Sequence, residues 1–287
     1  MASKVKDYFQ LIKFTLSFTV VFSCVVCYLM APKVIEYNWM MITILFVAGM
    51  LVTGSANAIN QSVEKDTDAM MKRTASRPVA SGRMSQTEAY TFALIAGSLG
   101  VGIMWYFFNL SAALLSAFSL FLYAFIYTPL KKVNSIAVLV GAFPGALPCL
   151  IGWVAGNDDF AIGGWILFGI QFLWQFPHFW AIAWVAHQDY SKAGFKLLPA
   201  DKGPTKFTAV QAIMYSVLMI PIGILPKAFG MTGNFSLWIV LVANLFMVLQ
   251  SIRLYNEMDI KAARRVMFTS YIYLPIVLLA LLADKVH

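Results

Sequence analysis

Long apolar runs alternate with short polar segments along almost the whole chain of 287 residues. Nine of these runs are long enough to cross a membrane, because about 20 apolar residues in an α-helix span the hydrocarbon layer. They lie at about residues 10–30, 38–60, 89–108, 111–128, 135–155, 161–185, 207–228, 235–253 and 266–283. The pattern predicts an all-α membrane protein built as a bundle of nine transmembrane helices.

Composition supports this prediction and excludes a soluble domain. Hydrophobic residues make up 60% of the chain and charged residues only 12%, whereas about a quarter of the residues in soluble domains are charged. The net charge of +8 does not indicate a nucleic-acid partner, because the basic residues are separated by apolar runs and do not form one exposed face. We find no linker or low-complexity segment, so we expect a single transmembrane domain over residues 1–287.

Basic residues are concentrated on one side of the predicted bundle. Of the 21 Lys and Arg residues, 18 fall on the side of the N-terminus, and the three exceptions are Lys33, Lys227 and Lys285. The positive-inside rule then predicts a cytoplasmic N-terminus and an external C-terminus. Lys13 interrupts the first apolar run, unlike a signal peptide, and no Arg- and Ser-rich transit peptide precedes it. We therefore expect a multi-pass protein of a bacterial plasma (inner) membrane.

The densest group of charges follows the second apolar run, between Asn57 and Arg83. If the helix continues through this stretch, Asn60, Glu64 and Asp68 are spaced at i, i+4 and i+8 and share one face. Two carboxylates at this spacing repel each other, and a divalent cation would remove the repulsion. Oxygen ligands of this kind suit a hard ion such as Mg²⁺, which also binds phosphate oxygens.

Four basic residues follow this acidic row closely in sequence: Lys72, Arg73, Arg77 and Arg83. They are placed where they could grip a polyanion that is bridged to the metal. The alternative interpretation is an ordinary cytoplasmic loop whose acids balance its bases. The regular spacing of the acidic row favours a binding site.

Two later segments also place polar side chains at membrane depth. Tyr127 and Lys131 at the end of the fourth run are spaced at i, i+4, so they either face one mouth of the bundle or act as interfacial anchors. The sixth run contains Gln171, Gln175 and His178, and such residues inside a membrane by default line a functional site. His178 could ligate haem iron or form a hydrogen bond between helices.

Five sequence blocks together resemble the protoheme IX farnesyltransferases (haem O synthases), a branch of the intramembrane aromatic prenyltransferase superfamily. The first block is similar to the aspartate-rich motif of the superfamily, with Glu64 where the usual motif has Asp. The fourth and the start of the fifth resemble the haem-modifying branch in particular. The blocks are NQSVEKDTDAMMKRTASRP (60–78), YTPLKK (127–132), GALPCLIGW (145–153), WQFPHFWAIA (174–183) and DYSKAGFKLLP (189–199).

The resemblance implies a central cavity that opens toward the cytoplasmic side and the lipid. It also implies that farnesyl diphosphate is the donor, that a vinyl group of haem b is the acceptor, and that Mg²⁺ is the cofactor. Product would pass to another haem-modifying enzyme or a terminal oxidase. The implied catalytic residues are Asn60, Glu64, Asp68, Tyr127 and Lys131; the metal ligands are Asn60, Glu64, Asp68 and Asp189; the diphosphate-binding residues are Lys13, Lys72, Arg73, Arg77 and Lys131; and the haem-binding residue is His178.

Three other functions are compatible with parts of the sequence. A prenyltransferase of the same fold could act on a quinone precursor or a chlorophyll-like ring, but the fourth and fifth blocks favour haem. A transporter would need polar residues through both halves of the membrane, and here one side is nearly free of charge. A structural subunit of a respiratory oxidase would leave the acidic row unexplained.

Overall fold

The computed structural model describes residues 4–199 and 203–286, and the secondary structure in these ranges is helical apart from one isolated β-bridge between Thr232 and Lys285. The helices are α1 Lys4–Leu11, α2 Phe14–Met30, α3 Trp39–Val63, α4 Lys65–Met70, α5 Gln86–Phe107, α6 Leu110–Phe121, α7 Thr128–Leu130, α8 Ala137–Asn157, α9 Ile162–Val185, α10 His187–Lys192, α11 Lys206–Ala228, α12 Asn234–Glu257 and α13 Ile260–Ala283. A π-helical turn, Leu122–Tyr127, joins α6 to α7.

The predicted all-α membrane architecture is confirmed. Within the described ranges, eight helical segments are long and apolar enough to cross a membrane, and the bent pair of α1 and α2 raises the number to as many as nine. The fourth segment, Leu110–Leu130, consists of α6, the π-helical turn and α7. Large apolar side chains such as Leu94, Trp238 and Val242 are exposed along these helices, as expected for surfaces that face lipid.

The first predicted span differs from the structure, because its helix is bent by 49° between α1 and α2. Lys13 lies at the bend with left-handed backbone angles, φ 48° and ψ 57°. The carbonyls that lose their helical partners there are bonded by side chains of α3. Gln61 Nε2 donates to the carbonyls of Gln10 and Leu11 at 2.8 and 2.9 Å, and Asn57 Nδ2 donates to that of Ile12 at 3.2 Å. We call this bend the Lys13 elbow.

Helix α8 is the most buried of the membrane-spanning segments and contains Pro144 and Pro148. Because Pro148 has no N–H to donate to the carbonyl of Pro144, that carbonyl accepts instead from Ser119 Oγ at 3.3 Å. Two glutamines of α9 bond the neighbouring turns: Gln171 Nε2 donates to Gly145 O at 2.7 Å and Gln175 Nε2 to Ala142 O at 2.9 Å. These amides therefore join α8 to α9, and the functional lining expected from the sequence pattern stays a prediction.

The two ends of the bundle differ in chemistry. At one end the loop after α3 meets the elbow, α7 and α10, and we call this the site end. At the other end, the far end, Lys285 Nζ donates to the carbonyls of Leu29, Ala31 and Val34 at 2.8, 2.9 and 2.8 Å. This contact ties the C-terminal segment to the loop between α2 and α3.

Candidate active site

The acidic row predicted from the sequence is present, although the helix that carries it is interrupted. Helix α3 ends at Val63, Glu64 has non-helical angles of φ −94° and ψ 13°, and α4 begins at Lys65. Backbone bonding nevertheless continues with the helical spacing, from Glu64 N to Asn60 O at 3.0 Å and from Asp68 N to Glu64 O at 2.7 Å. The side chains of Asn60, Glu64 and Asp68 are all buried.

Each member of this row contacts a basic side chain from a different segment. Lys13 Nζ donates to Asn60 Oδ1 at 2.8 Å. Arg77 Nη1 donates to both carboxylate oxygens of Asp68, at 2.8 and 2.6 Å. Lys131 Nζ forms an ion pair with Glu64. Buried charges need such partners, because the cost of removing them from water is otherwise several kcal/mol.

The ion pair between Lys131 and Glu64 is formed through the buried Oε1 atom of the carboxylate. Burial lowers the pKa of the Lys131 ammonium, and the Glu64 carboxylate opposes this effect. Glu64 therefore helps to keep the buried Lys131 ammonium charged.

The π-helical turn positions Lys131 and Tyr127. Thr128 Oγ1 donates to the carbonyl of Tyr123, five residues earlier, at 2.8 Å, and Asn60 Nδ2 donates to Thr128 Oγ1 at 3.3 Å. The Lys131 ammonium lies 5.0 Å from the centre of the Tyr127 ring and 5.2 Å from that of Phe195. Aromatic faces at this distance stabilise a cation, so Tyr127 supports the ammonium that pairs with the acidic row.

A second group of predicted residues surrounds Tyr190 of α10. Arg73 Nη2 donates to the Tyr190 hydroxyl at 2.9 Å, and its guanidinium lies 5.3 Å from the ring centre. Burial lowers the pKa of Arg73, but Tyr190, Asp68 and Asp189 outweigh it and raise the pKa above its ordinary value. Arg73 therefore lies within the field of both the acidic row and Asp189. Lys72 is exposed and forms no hydrogen bond or ion pair with a described residue.

The metal ligands predicted from the sequence do not form a cage made only of acidic, histidine or cysteine side chains. Among residues 4–199 and 203–286, no three or more such side chains are grouped so that they could hold a metal ion. Asp189 lies in the first turn of α10 and is half-buried. Metal binding by Asn60, Glu64, Asp68 and Asp189 therefore stays a prediction.

A cavity of about 230 Å³ adjoins this second group and is lined among others by His187, Tyr190, Phe195 and Lys196. It lies between α9, α10 and the segment that follows them. The backbone N–H of Lys196 donates to the carbonyl of Lys131 at 2.8 Å. This bond holds the segment after α10 against the end of α7. The larger central cavity that the resemblance implies remains a prediction.

His178 lies apart from the charged residues, among aromatic side chains of α9 and α13. Its ring stacks on Trp174 with 4.6 Å between centres and an interplanar angle of 21°, and Tyr271 contacts it edge-on at 5.3 Å. Its Nδ1 atom is 2.8 Å from Ser270 Oγ. Both interpretations offered by the sequence, iron ligation and helix-to-helix bonding, are compatible with this arrangement.

Several residues that organise the site were not identified from the sequence. Thr128, Tyr190 and Ser270 give no spacing signal of their own within their segments. Asn57 and Gln61 carry a signal in retrospect, because two amides spaced at i, i+4 at the end of an apolar run indicate a polar contact on one helix face.

The chain belongs to the UbiA prenyltransferase family, whose sequence model matches residues 20–273. More particularly, the chain is similar over its whole length to relatives named protoheme IX farnesyltransferase. It is 44% identical to that of Cytophaga hutchinsonii, with 100% of both chains covered. It is 42% identical to that of Flavobacterium psychrophilum, with 97% of this chain and 94% of the relative covered. These relatives confirm the resemblance predicted from the sequence blocks.

Solved structures show that the fold is shared more widely. A structure described as digeranylgeranylglyceryl phosphate synthase in membranes aligns with a TM-score of 0.81 at 22% identity, covering 98% of both chains. A UbiA homologue from Archaeoglobus fulgidus, bound to GPP and Mg²⁺, aligns with a TM-score of 0.68 at 12% identity, covering 96% of this chain and 99% of its own.

Proposed function

We propose that the protein transfers a farnesyl group from farnesyl diphosphate to a vinyl group of haem b, giving haem O. The observation that carries the proposal is the buried row of Asn60, Glu64 and Asp68, in which each side chain contacts its own cation. Such a site suits a diphosphate bridged to a divalent ion. The choice of haem as acceptor rests on the full-length similarity to relatives with that name.

The acidic row fits Mg²⁺ by its chemistry. Asn60 Oδ1 and the carboxylates of Glu64 and Asp68 are hard oxygen donors, and the three side chains are buried in consecutive helical turns. Asp189 is the proposed further ligand, and its charge acts on Arg73 together with that of Asp68. When bound, Mg²⁺ would supply positive charge that stabilises the diphosphate as a leaving group.

The basic residues of the site hold the diphosphate in this proposal. Lys13, Arg77 and Lys131 already surround the acidic row, and Arg73 and Lys72 extend the positive surface toward α10. As the allylic C–O bond breaks, negative charge grows on the diphosphate oxygens, and fixed cations stabilise it more strongly in a site that excludes water. This stabilisation of the leaving group is the main catalytic contribution of the chain.

The farnesyl cation formed by this cleavage must be protected from water until the acceptor reacts. Aromatic faces such as those of Tyr127 and Phe195, which already stabilise the Lys131 ammonium, suit this role. A haem vinyl group then forms a C–C bond to the farnesyl carbon. Water adds to the resulting cation and loses a proton, which leaves a hydroxyethylfarnesyl substituent. His178 would bind the haem.

The proposal includes the remaining predictions about the whole chain. Residues 1–287 form one domain in a bacterial plasma membrane, with the N-terminus cytoplasmic and the C-terminus external. Farnesyl diphosphate would then enter from the site end, whereas haem b would arrive through the lipid. The product would pass to a terminal oxidase or to another haem-modifying enzyme.

The test uses purified protein in detergent with haem b, farnesyl diphosphate and Mg²⁺, analysed by mass spectrometry. We expect a haem that has gained one hydroxyfarnesyl unit, formed with Mg²⁺ and not after chelation. Parallel reactions replace haem b with a quinone precursor, and farnesyl with geranyl or geranylgeranyl diphosphate. A product on the quinone precursor alone would refute the haem assignment, and absence of both product and pyrophosphate release from folded protein would refute prenyl transfer.

A further inference from the structure

The contacts of Ser270 determine which nitrogen of His178 carries the proton. Ser270 Oγ lies 2.6 Å from the carbonyl of Met267, to which it donates its only proton. The same oxygen lies 2.8 Å from His178 Nδ1. Because its proton is already used, Ser270 Oγ can only accept from the imidazole, so Nδ1 carries the N–H. In the neutral ring, Nε2 then carries the lone pair.

Ser270 also fixes the plane of the imidazole. Its backbone carbonyl accepts from Trp174 Nε1 at 2.9 Å, and the Trp174 indole stacks on the His178 ring. Both rings of α9 are therefore held by one fully buried residue of α13. Tyr271, the next residue, packs edge-on against the imidazole. Rotation of His178 would break the bond to Ser270 and the stacking on Trp174 together.

The other imidazole nitrogen is available. Nε2 forms no hydrogen bond with any residue in the described parts of the chain. It is also not completely enclosed by neighbouring atoms. Tyr271 and Phe268, which flank the cluster, are 48% and 57% exposed on the outer surface of α13. The cluster around His178 therefore lies next to the exposed surface of α13.

We infer that Ser270 is a positioning residue that holds His178 with Nε2 directed to the iron of the haem substrate. Histidines that ligate metals almost always donate their other N–H to an oxygen, which fixes the tautomer and raises the basicity of the ligating nitrogen. The pair of Ser270 and His178 has this arrangement. The inference rests on the proposed function, because it requires haem as the acceptor.

The experiment measures haem binding without turnover. Purified wild-type protein and variants are titrated with haem b without farnesyl diphosphate or Mg²⁺, and absorption and resonance Raman spectra report affinity and iron coordination. Ser270→Ala should weaken haem binding about tenfold or more and lower the iron–histidine stretching frequency. Ser270→Thr, which keeps the hydroxyl, should restore both. His178→Ala should abolish the histidine-ligated spectrum.

A matched control separates positioning from stability. Ser216 is also a fully buried serine that donates to a carbonyl, that of Ala212 at 2.7 Å, and bonds a serine of another helix. Ser216→Ala should leave the haem spectrum unchanged, and thermal unfolding shows that all variants are compared as folded protein. A wild-type spectrum in Ser270→Ala or His178→Ala would overturn the inference while haem farnesylation by the wild type stands. If the wild type binds no haem, both the proposed function and the inference fail.

Discussion

At the scale of single residues, the dominant feature of the site is local charge balance. Asn60, Glu64 and Asp68 are buried, and each contacts one cation that arrives from a different part of the chain. An unpaired charge in such a position would be strongly destabilising. The same contacts concentrate three cations where the proposed diphosphate would bind, so one arrangement serves both stability and the proposed chemistry.

The first prediction concerns Asp68. Asp68→Asn keeps the shape of the side chain but removes the charge that would attract Mg²⁺, and we expect turnover per folded protein to fall about 100-fold or more. Because the charge also pairs with Arg77, some thermal stability should be lost as well. Asp66→Asn is the control, because Asp66 lies in the same helix but is exposed and off the row. Mg²⁺-dependent product formation by both variants is the measurement. Full activity of Asp68→Asn at saturating Mg²⁺ would remove Asp68 from the metal site.

The second prediction concerns its partner, Arg77. Arg77→Met would leave a fully buried carboxylate without a counter-charge, and we expect a loss of about 3 kcal/mol in the free energy of unfolding. Arg265→Met removes an ion pair to Glu257 that is 2.8 Å long, against 2.6 Å for Arg77 and Asp68. That pair is exposed on both sides, so the loss should stay below about 1 kcal/mol. Unfolding titrations in mixed detergent compare the two. Equal losses would contradict the structural importance of the Arg77 contact.

Sequence alone predicted the members of the row but not their partners. The spacing of Asn60, Glu64 and Asp68 is local, and helical geometry is sufficient to place them on one face. Lys13 is 47 residues from Asn60, and Ser270 is 92 residues from His178. Those pairings depend on how whole helices pack, for which the chain carries no periodic signal.

At the scale of secondary structure, apolar periodicity located the spans closely, and the breaks within them depend on tertiary contacts. The run predicted at about 38–60 is α3, Trp39–Val63. The elbow at Lys13, the interruption at Glu64 and the π-helical turn Leu122–Tyr127 were not predicted. Each lies next to a residue of the candidate site, in agreement with the frequent occurrence of π-helical turns and helix breaks at functional positions.

The third prediction tests the Lys13 elbow. Gln61→Leu removes the amide that bonds the carbonyls of Gln10 and Leu11. Gln10 O keeps its bond from the N–H of Lys13, but Leu11 O loses its side-chain donor, which should cost about 2 kcal/mol of stability. Since the elbow also places Lys13, we expect a raised KM for farnesyl diphosphate. Gln211→Leu, at a half-buried position of α11 without a side-chain hydrogen bond to a described residue, should change neither quantity. An unchanged KM in Gln61→Leu would separate the elbow from diphosphate binding.

The fourth prediction tests the close contact between α8 and α2. A Cβ atom at Gly152 would lie only 2.0 Å from the backbone carbonyl oxygen of Cys24, so Gly152→Ala must push the helices apart. We expect a loss of about 2 kcal/mol or more in the free energy of unfolding. A Cβ at Gly102 of α5 would meet no atom within 4 Å, so Gly102→Ala should be neutral or slightly stabilising. Thermal unfolding of both variants tests this prediction. Equal stability would contradict the tight packing of α8 against α2.

At the scale of the whole molecule, the chain separates its chemistry between two ends. The site end carries the acidic row and most of the basic residues. At the far end, Lys285 donates to three backbone carbonyls. Packing of the helices brings charged segments that are far apart in sequence together at the site end. The asymmetry of charge between the ends is visible in the sequence, because basic loops alternate with neutral ones along the chain.

The fifth prediction is the orientation of this asymmetric bundle. Positive loops remain in the cytoplasm, so the site end should face inward and the far end outward. Two variants with one added cysteine each report the sides: Ser81→Cys in the exposed loop after α4 and Glu36→Cys in the exposed loop between α2 and α3. The native Cys24, Cys27 and Cys149 are buried and give a low background. A membrane-impermeant maleimide added to intact spheroplasts should label Glu36→Cys, and Ser81→Cys only after permeabilisation. The reverse pattern would place the acidic row outside, away from the cytoplasmic supply of a charged diphosphate that cannot cross the bilayer, and would contradict the proposed route of the donor.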